Sequence, residues 1–306
     1  MHRLIFSAAL GAAIVVSCGA SIHAAETHVL VVVGPSTHPP GTHEVAAGGR
    51  LLEHCLEHMS NVPGVKVDLF NEWPTDAAVR DRADTIVFLG DTFPPARLPD
   101  TPKIMSELSS MMDRGCGIAC LHYATGLRNE DVAKDGDHPL LRWMGGYFAT
   151  KCEHHKSVAK VFTATITPVN PQHPVSRGWH EFTLHDEPYY NNYFGTGGLA
   201  PGVVTFATAM LPPETPKPEI VSWGIERPVI EGRDGGRGFA IVMPHFYKNW
   251  ANDDLRRLIL NGIVWTAKRD VPEGGVTTDT PDLAAFDPGA IEPQPRPQKS
   301  PQKTNP

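Results

Sequence analysis

Residues 115–126 read GCGIACLHYATG, a small apolar run that stops at a polar residue. A buried strand ending this way displays whatever follows it at the turn into the next element. Cys116, Cys120 and His122 are the reactive types here. Polar residues placed just after other apolar runs form a matching set. His38, His43 and Glu44 follow THVLVVVG; Asp91 follows DTIVFLG; His245 follows GRGFAIVMP. The stretch HDEPYY adds Asp186, Glu187, Tyr189 and Tyr190. In open α/β sheets, ligands bind outside the carboxyl ends of the strands. A sheet of that kind would therefore collect imidazoles and carboxylates at one edge. Alternation along FTLHDE sends Asp186 and Glu187 to opposite faces. Glu187 shares a face with His185 and Tyr189, so it is the expected site carboxylate, and Asp186 goes with Phe182 and Leu184 to the packed side.

Two chemistries suit these types. His122 and His245 with Glu187 could move protons on a sugar hydroxyl or beside a keto group. Alternatively, His43, His122 and His245, with Glu187 or Asp91, form an N/O ligand set for a divalent metal. The residues leave both open. Tyr123, Tyr189, Tyr190 and Trp250 would supply aromatic faces and polar tips suited to a small carbohydrate.

The elements that must position these residues follow from patterning. THVLVVV is a strand apolar on both faces, the mark of a parallel sheet. Residues 44–59 carry one apolar stripe and read as a helix. Strands over 65–70 and 85–90, a helix over 104–113, and the strand of the opening stretch complete a β-α-β-α-β order, hence a doubly wound sheet. The middle is β-rich, with turns of Pro and Gly, and should add antiparallel strands at an edge. A last helix spans 252–268. The expected division is a signal peptide over 1–25, one domain over 26–275, and a Pro-rich disordered tail over 276–306.

Two patterns are set aside. His54-Cys55-Leu56-Glu57-His58 matches a zinc-protease motif. On the helix, however, His54, Glu57 and His58 fall opposite the apolar stripe, facing solvent. His154-His155 lies in a polar loop between lysines.

The chain has 306 residues, net charge −7 and 41% hydrophobic content. No basic run is present, so nucleic acid is not an expected partner. The N-terminus, MHRLIFSAALGAAIVVSC, has the charge and apolar run of an export signal. Cys18 follows a lipobox-like Val-Val-Ser, which offers a lipid anchor as an alternative to simple secretion to the periplasm or medium. No other run is long enough to span a membrane. Beyond the signal stand Cys55, Cys116, Cys120 and Cys152. On one strand Cys116 and Cys120 would lie ~13 Å apart, too far to bridge.

The combination of GPSTHPPGTHEVAAGG, GIACLHYA, GGYF, DEPYYNNYF, GGRGFAIVMPHFYKNW and LILNGIVWTAKRDVPEGGV resembles the trehalose-utilisation (ThuA-like) family over roughly 28–275. That resemblance implies the class I glutamine amidotransferase-like fold and a part in carbohydrate catabolism, with a trehalose-type or keto-disaccharide substrate. Similar sequences carry Gly-Gly-His where this chain has Met243-Pro244-His245. Laid on the amidotransferase pattern, His122 takes the place of the nucleophilic Cys, and His245 that of the catalytic His. Tyr247 takes the place of the acid. Cys-dependent acyl transfer is thus not available. The expected role is an exported carbohydrate-acting enzyme; the alternative is a binding or accessory protein on the same fold.

Overall fold

The computed structural model describes residues 26–230, 232 and 234–296. The expected signal peptide, with Cys18, lies outside them. Eleven strands are described: β1 (Thr27–Val33), β2 (Val65–Phe70), β3 (Thr85–Leu89), β4 (Gly117–Leu121), β5 (Gly126–Arg128), β6 (Phe148–Thr150), β7 (Phe162–Pro168), β8 (Phe182–Asp186), β9 (Val203–Leu211), β10 (Lys217–Glu226) and β11 (Arg237–Ile241). The helices are α1 (Val45–Glu57), α2 (Ala77–Arg82), α3 (Thr101–Asp113), α4 (Pro139–Met144) and α5 (Asp253–Thr266).

Nine strands form one sheet in the order β2-β1-β3-β4-β11-β10-β9-β7-β8. From β2 to β11 all pairings are parallel, and from β11 onward all are antiparallel. Burial follows from this. Every residue of β3 and β4 is buried, because helices cover the parallel half on both faces. In β7 and β8 buried and exposed residues alternate, because one face meets solvent. The fold is therefore the mixed, mainly parallel sheet with antiparallel strands at one edge that the patterning predicts. The chain returns to the parallel half through β11, which inserts beside β4. That pairing sets the carboxyl ends of two strands, 120 residues apart in sequence, side by side.

Glycine permits the close approach of α1. A Cβ on Gly49 would fall 2.7 Å from Val33 Cγ2, so only glycine lets this helix lie so near β1. In α5, eleven of fourteen residues are buried, including Arg256, whose Nη1 donates to the Trp250 carbonyl.

The zinc-protease pattern resolves as the helical wheel predicts, with His54, Glu57 and His58 all exposed on α1. Cys55, Cys116, Cys120 and Cys152 are buried and unpaired. Among the described residues, no helix is long and apolar enough to cross a membrane.

The tail departs from expectation. Residues 276–296 do not detach from the domain but run back across it. Val276 and Leu283 are buried, a short 3-10 turn spans Leu283–Phe286, and Phe286 packs on the core. Arg50 donates to the Phe286 carbonyl, and the Tyr247 hydroxyl to that of Leu283. Three apolar residues and borrowed backbone partners hold a segment whose composition alone reads as unable to order itself. The remainder of the expected tail, 297–306, lies outside the described residues.

Candidate metal centre

Five strand ends supply the site, and backbone contacts between their loops fix its shape. The loop after β1 brings His38 and His43. It is stitched to the loop after β11 by His43 N–H donating to the His245 carbonyl (2.9 Å) and by the Thr42–Phe246 bridge. Asp91 follows β3, His122 follows β4, and Glu187 follows β8. His43 (φ 42°), Thr92 (φ 60°) and His122 (φ 48°) all adopt left-handed backbone. That region costs a non-glycine residue roughly 1–2 kcal/mol. Three such positions in one cluster are held by the contacts around them, a pattern common at working sites.

Three imidazole nitrogens converge. His43 Nε2 lies 2.8 Å from His245 Nδ1 and 2.9 Å from His122 Nε2, and His122 Nε2 lies 3.1 Å from His245 Nδ1. Glu187 Oε2 is 3.4 Å from His245 Nδ1. The ligand atoms of all four residues lie within 4.8 Å of one another.

The partners on the far side of each ring fix its tautomer. His43 Nδ1 donates to Asp91 Oδ1 (2.7 Å), so its Nε2 is bare. His122 Nδ1 donates to the Val242 carbonyl (2.9 Å), so its Nε2 is bare too. Two lone pairs thus face each other across 2.9 Å. A neutral triangle offers them at most one shared proton, on His245 Nδ1. The Tyr189 hydroxyl also lies 2.9 Å from His122 Nε2. Lone pairs aimed at a common point, with carboxylate and carbonyl partners behind them, are how proteins prepare histidines for a cation. In a tetrahedral shell at ~2.0–2.1 Å, ligand nitrogens stand roughly 3.3 Å apart, a few tenths more than here. Three nitrogens and a carboxylate oxygen fit Zn²⁺ or a neighbouring divalent transition metal.

Electrostatics agree. Burial lowers His43 to about 4 and His245 to about 3, and burial with the neighbouring imidazoles holds His122 well below its ordinary value. All three are neutral at pH 7, the ligating form. Burial would raise Asp91, but hydrogen bonds from His38 and His43 outweigh it and hold the carboxyl below the usual range. Burial, then the Asp186 charge, pushes Glu187 up to about 7.

Asp186 is fully buried behind the site. Its Oδ1 accepts from Glu187 N–H (2.6 Å) and His245 N–H (2.9 Å), and its Oδ2 from Asn249 Nδ2 (2.5 Å). It ties the loop after β8 to the loop after β11 through the backbones of Glu187 and His245 and the Asn249 side chain, consistent with the packed-side placement that strand alternation predicts. Tyr123, half-buried, stands edge-on to His38 and His43. Three expected sugar contacts are not of that kind. Tyr189 is buried, stacked between His122 and Phe148. Trp250 is buried and lines a cavity of about 30 Å³ beneath the histidines. Tyr190 points the other way, toward Phe162. Residue type does not tell direction, and successive residues diverge. His38, noted after β1 but given no role, belongs to the cluster: it stacks on His43 (3.6 Å between centroids), and its Nδ1 donates to Asp91 Oδ1 at 2.9 Å. A groove of about 550 Å³ opens beside it, lined by His38, His43, Glu44, Asn71, Glu72 and Arg97 among others. That size suits a small-molecule ligand.

Residues 29–266 match the trehalose-utilisation family, ThuA, and the chain belongs to it. The fold is shared with a ThuA-like protein from Bacteroides uniformis ATCC 8492, at 15% identity over 81% of this chain and 94% of that one, TM-score 0.56. A ThuA-like protein from Parabacteroides merdae ATCC 43184 is similar, at 15% identity over 84% and 94%, TM-score 0.53. No curated protein matches the sequence.

Proposed function

We propose that this chain is a divalent-metal-dependent enzyme of carbohydrate breakdown, exported from the cell, with an oxidised (keto) disaccharide as its substrate type. One observation carries the reading: two histidines whose tautomers are fixed from behind aim bare nitrogens at each other, with a third imidazole and a carboxylate in reach. The family's link to trehalose utilisation supports a sugar substrate. The sequence left proton transfer and metal binding open, and the convergence favours the metal.

His43, His122, His245 and Glu187 would hold the ion, which would act as a Lewis acid on a carbonyl or hydroxyl oxygen. Asp91 orients His43 and His38 together. His38 keeps its Nδ1–H on Asp91, which leaves its Nε2 as a base at the groove side of the cluster. There it takes a proton from a sugar carbon next to a carbonyl, or from a hydroxyl. Tyr189, stacked on the His122 ring, holds it in place. The cysteines take no part, because burial raises Cys120 well above its ordinary pKa and leaves no thiolate.

The test is metal content with turnover. Protein purified without chelator should carry one transition-metal ion per chain and cleave a keto disaccharide but not its unoxidised parent. His122→Gln should lose metal and turnover. A wild-type chain that takes up no metal from zinc, manganese or iron salts refutes the metal reading. Sugar binding that survives His122→Gln, with no turnover by either protein, would establish the binding-protein alternative.

A further inference from the structure

The segment after the 3-10 turn at 283–286 returns to the metal-centre edge of the sheet. Ala290 N–H donates to Glu44 Oε1 (3.1 Å), Lys248 Nζ pairs with Glu292 Oε2 (2.7 Å), and Gln294 N–H donates to the Pro40 carbonyl (2.9 Å). At the crossing, two backbones touch. A Cβ on Gly41 would stand 2.2 Å from the Glu292 carbonyl oxygen, and Gly41 has φ +82°. Only glycine accommodates both. These contacts fasten 290–294 to the loop that ends in His43.

Two residues further on stands Arg296, exposed, with no hydrogen bond or ion pair to any other described residue. The same segment borders the groove, which Gly289 lines together with His38, Pro40 and His43, and the Gln294 contact to Pro40 sets Arg296 beside that loop. An unspent guanidinium, with five donors in a planar fork, is a partner for anionic oxygen.

We propose that residues 287–296 are a strap belonging to the site, and that it presents Arg296 to bind an anionic oxygen of the sugar. A carboxylate on the ligand and an enediolate formed from a keto sugar share this chemistry. The proposal rests on the metal-centre reading for where the sugar sits, but its test does not require the metal.

The full-length protein is titrated calorimetrically at low salt with D-gluconate and with D-glucitol, its uncharged counterpart, after zinc loading and again after chelation. Gluconate should bind more tightly than glucitol. Arg296→Gln should weaken gluconate about tenfold, one charge-assisted hydrogen bond, and leave glucitol unchanged. Gly41→Ala should have the same effect, with hydrogen-exchange protection lost at the Ala290 and Gln294 amides. Arg296 is exposed, so its variant folds even if the Gly41 variant does not. Equal gluconate affinity in wild type and Arg296→Gln, or no preference for gluconate over glucitol, overturns the proposal. Failure of the metal reading shows separately, as absence of zinc uptake. Arg296-dependent gluconate binding by the chelated protein then still supports the strap.

Discussion

The neutral histidines should make the metal-free protein acid-labile in a defined window, and His43→Gln isolates one of them. His43 titrates at 6.5 when unfolded and at about 4 when folded. Between those values the unfolded chain binds a proton that the native chain refuses, so stability is fully present above 6.5 and falls as pH drops toward 4. The slope for one such group is about 1.4 kcal/mol per pH unit. Integrated from about pH 7.5 to about pH 5, it comes to roughly 2 kcal/mol. Glu187 and Asp186 act in the opposite sense. Burial raises them to about 7 and about 6, so their contribution is lost as pH rises. The slope of the whole protein is therefore a sum, whereas the difference between wild type and variant reports His43. Urea unfolding followed by tryptophan fluorescence, with chelator present, gives stability at each pH by linear extrapolation. The variant should lose less stability on acidification, by about 2 kcal/mol across this interval. Parallel curves for the two proteins between pH 5 and 6.5 would falsify the assignment of a buried, neutral His43.

Asp91→Asn removes the charge that fixes His43 and should weaken zinc binding tenfold to a hundredfold in a chelator competition, with the fold retained. Unchanged affinity would mean that the contact to Asp91 does not orient a ligand. Chelation should lower the melting temperature and added zinc restore it, since the ion binds only the folded chain. Cys120 should resist a thiol reagent until the protein unfolds, and rapid native-state labelling would contradict its burial on β4. Gly238→Ala should destabilise strongly, because the added Cβ would fall 2.1 Å from the Trp143 carbonyl oxygen. A melting temperature within a degree or two of wild type would show that this contact relaxes freely.

The parallel half of the fold was legible because its strands are continuous apolar runs. THVLVVV and GIACL have no polar face to mislead, and their ends name the edge where His43 and His122 stand. His245 was legible for the same reason. The helices over 77–82 and 139–144 were not, since six residues are too few for a 3.6-residue period to show. The short pairing of Gly126–Arg128 with Phe148–Thr150 has no alternation to read either. At the site, residue type revealed the histidines but not the tautomers, which depend on a carbonyl at Val242 and a carboxylate at Asp91, both remote in sequence. The strap was hidden for a related reason. Its anchorage is one crossing of backbones at Gly41, backbone donors at Ala290 and Gln294, and a single Lys248–Glu292 pair, and composition records none of these pairings.

His43 and His245 meet across a separation of 202 residues, and the contact exists only once β11 has slotted in beside β4. No fragment shorter than nearly the whole domain can assemble the triangle. An ion held by this triangle would therefore not be an early template for folding; it would be captured late, by a sheet already closed. Were the chain exported unfolded, as proposed, the metal would be chosen on the far side. The ion it carries would then reflect what the destination compartment supplies, not what the cytosol buffers, and the same sequence made in two compartments could emerge with two different metals.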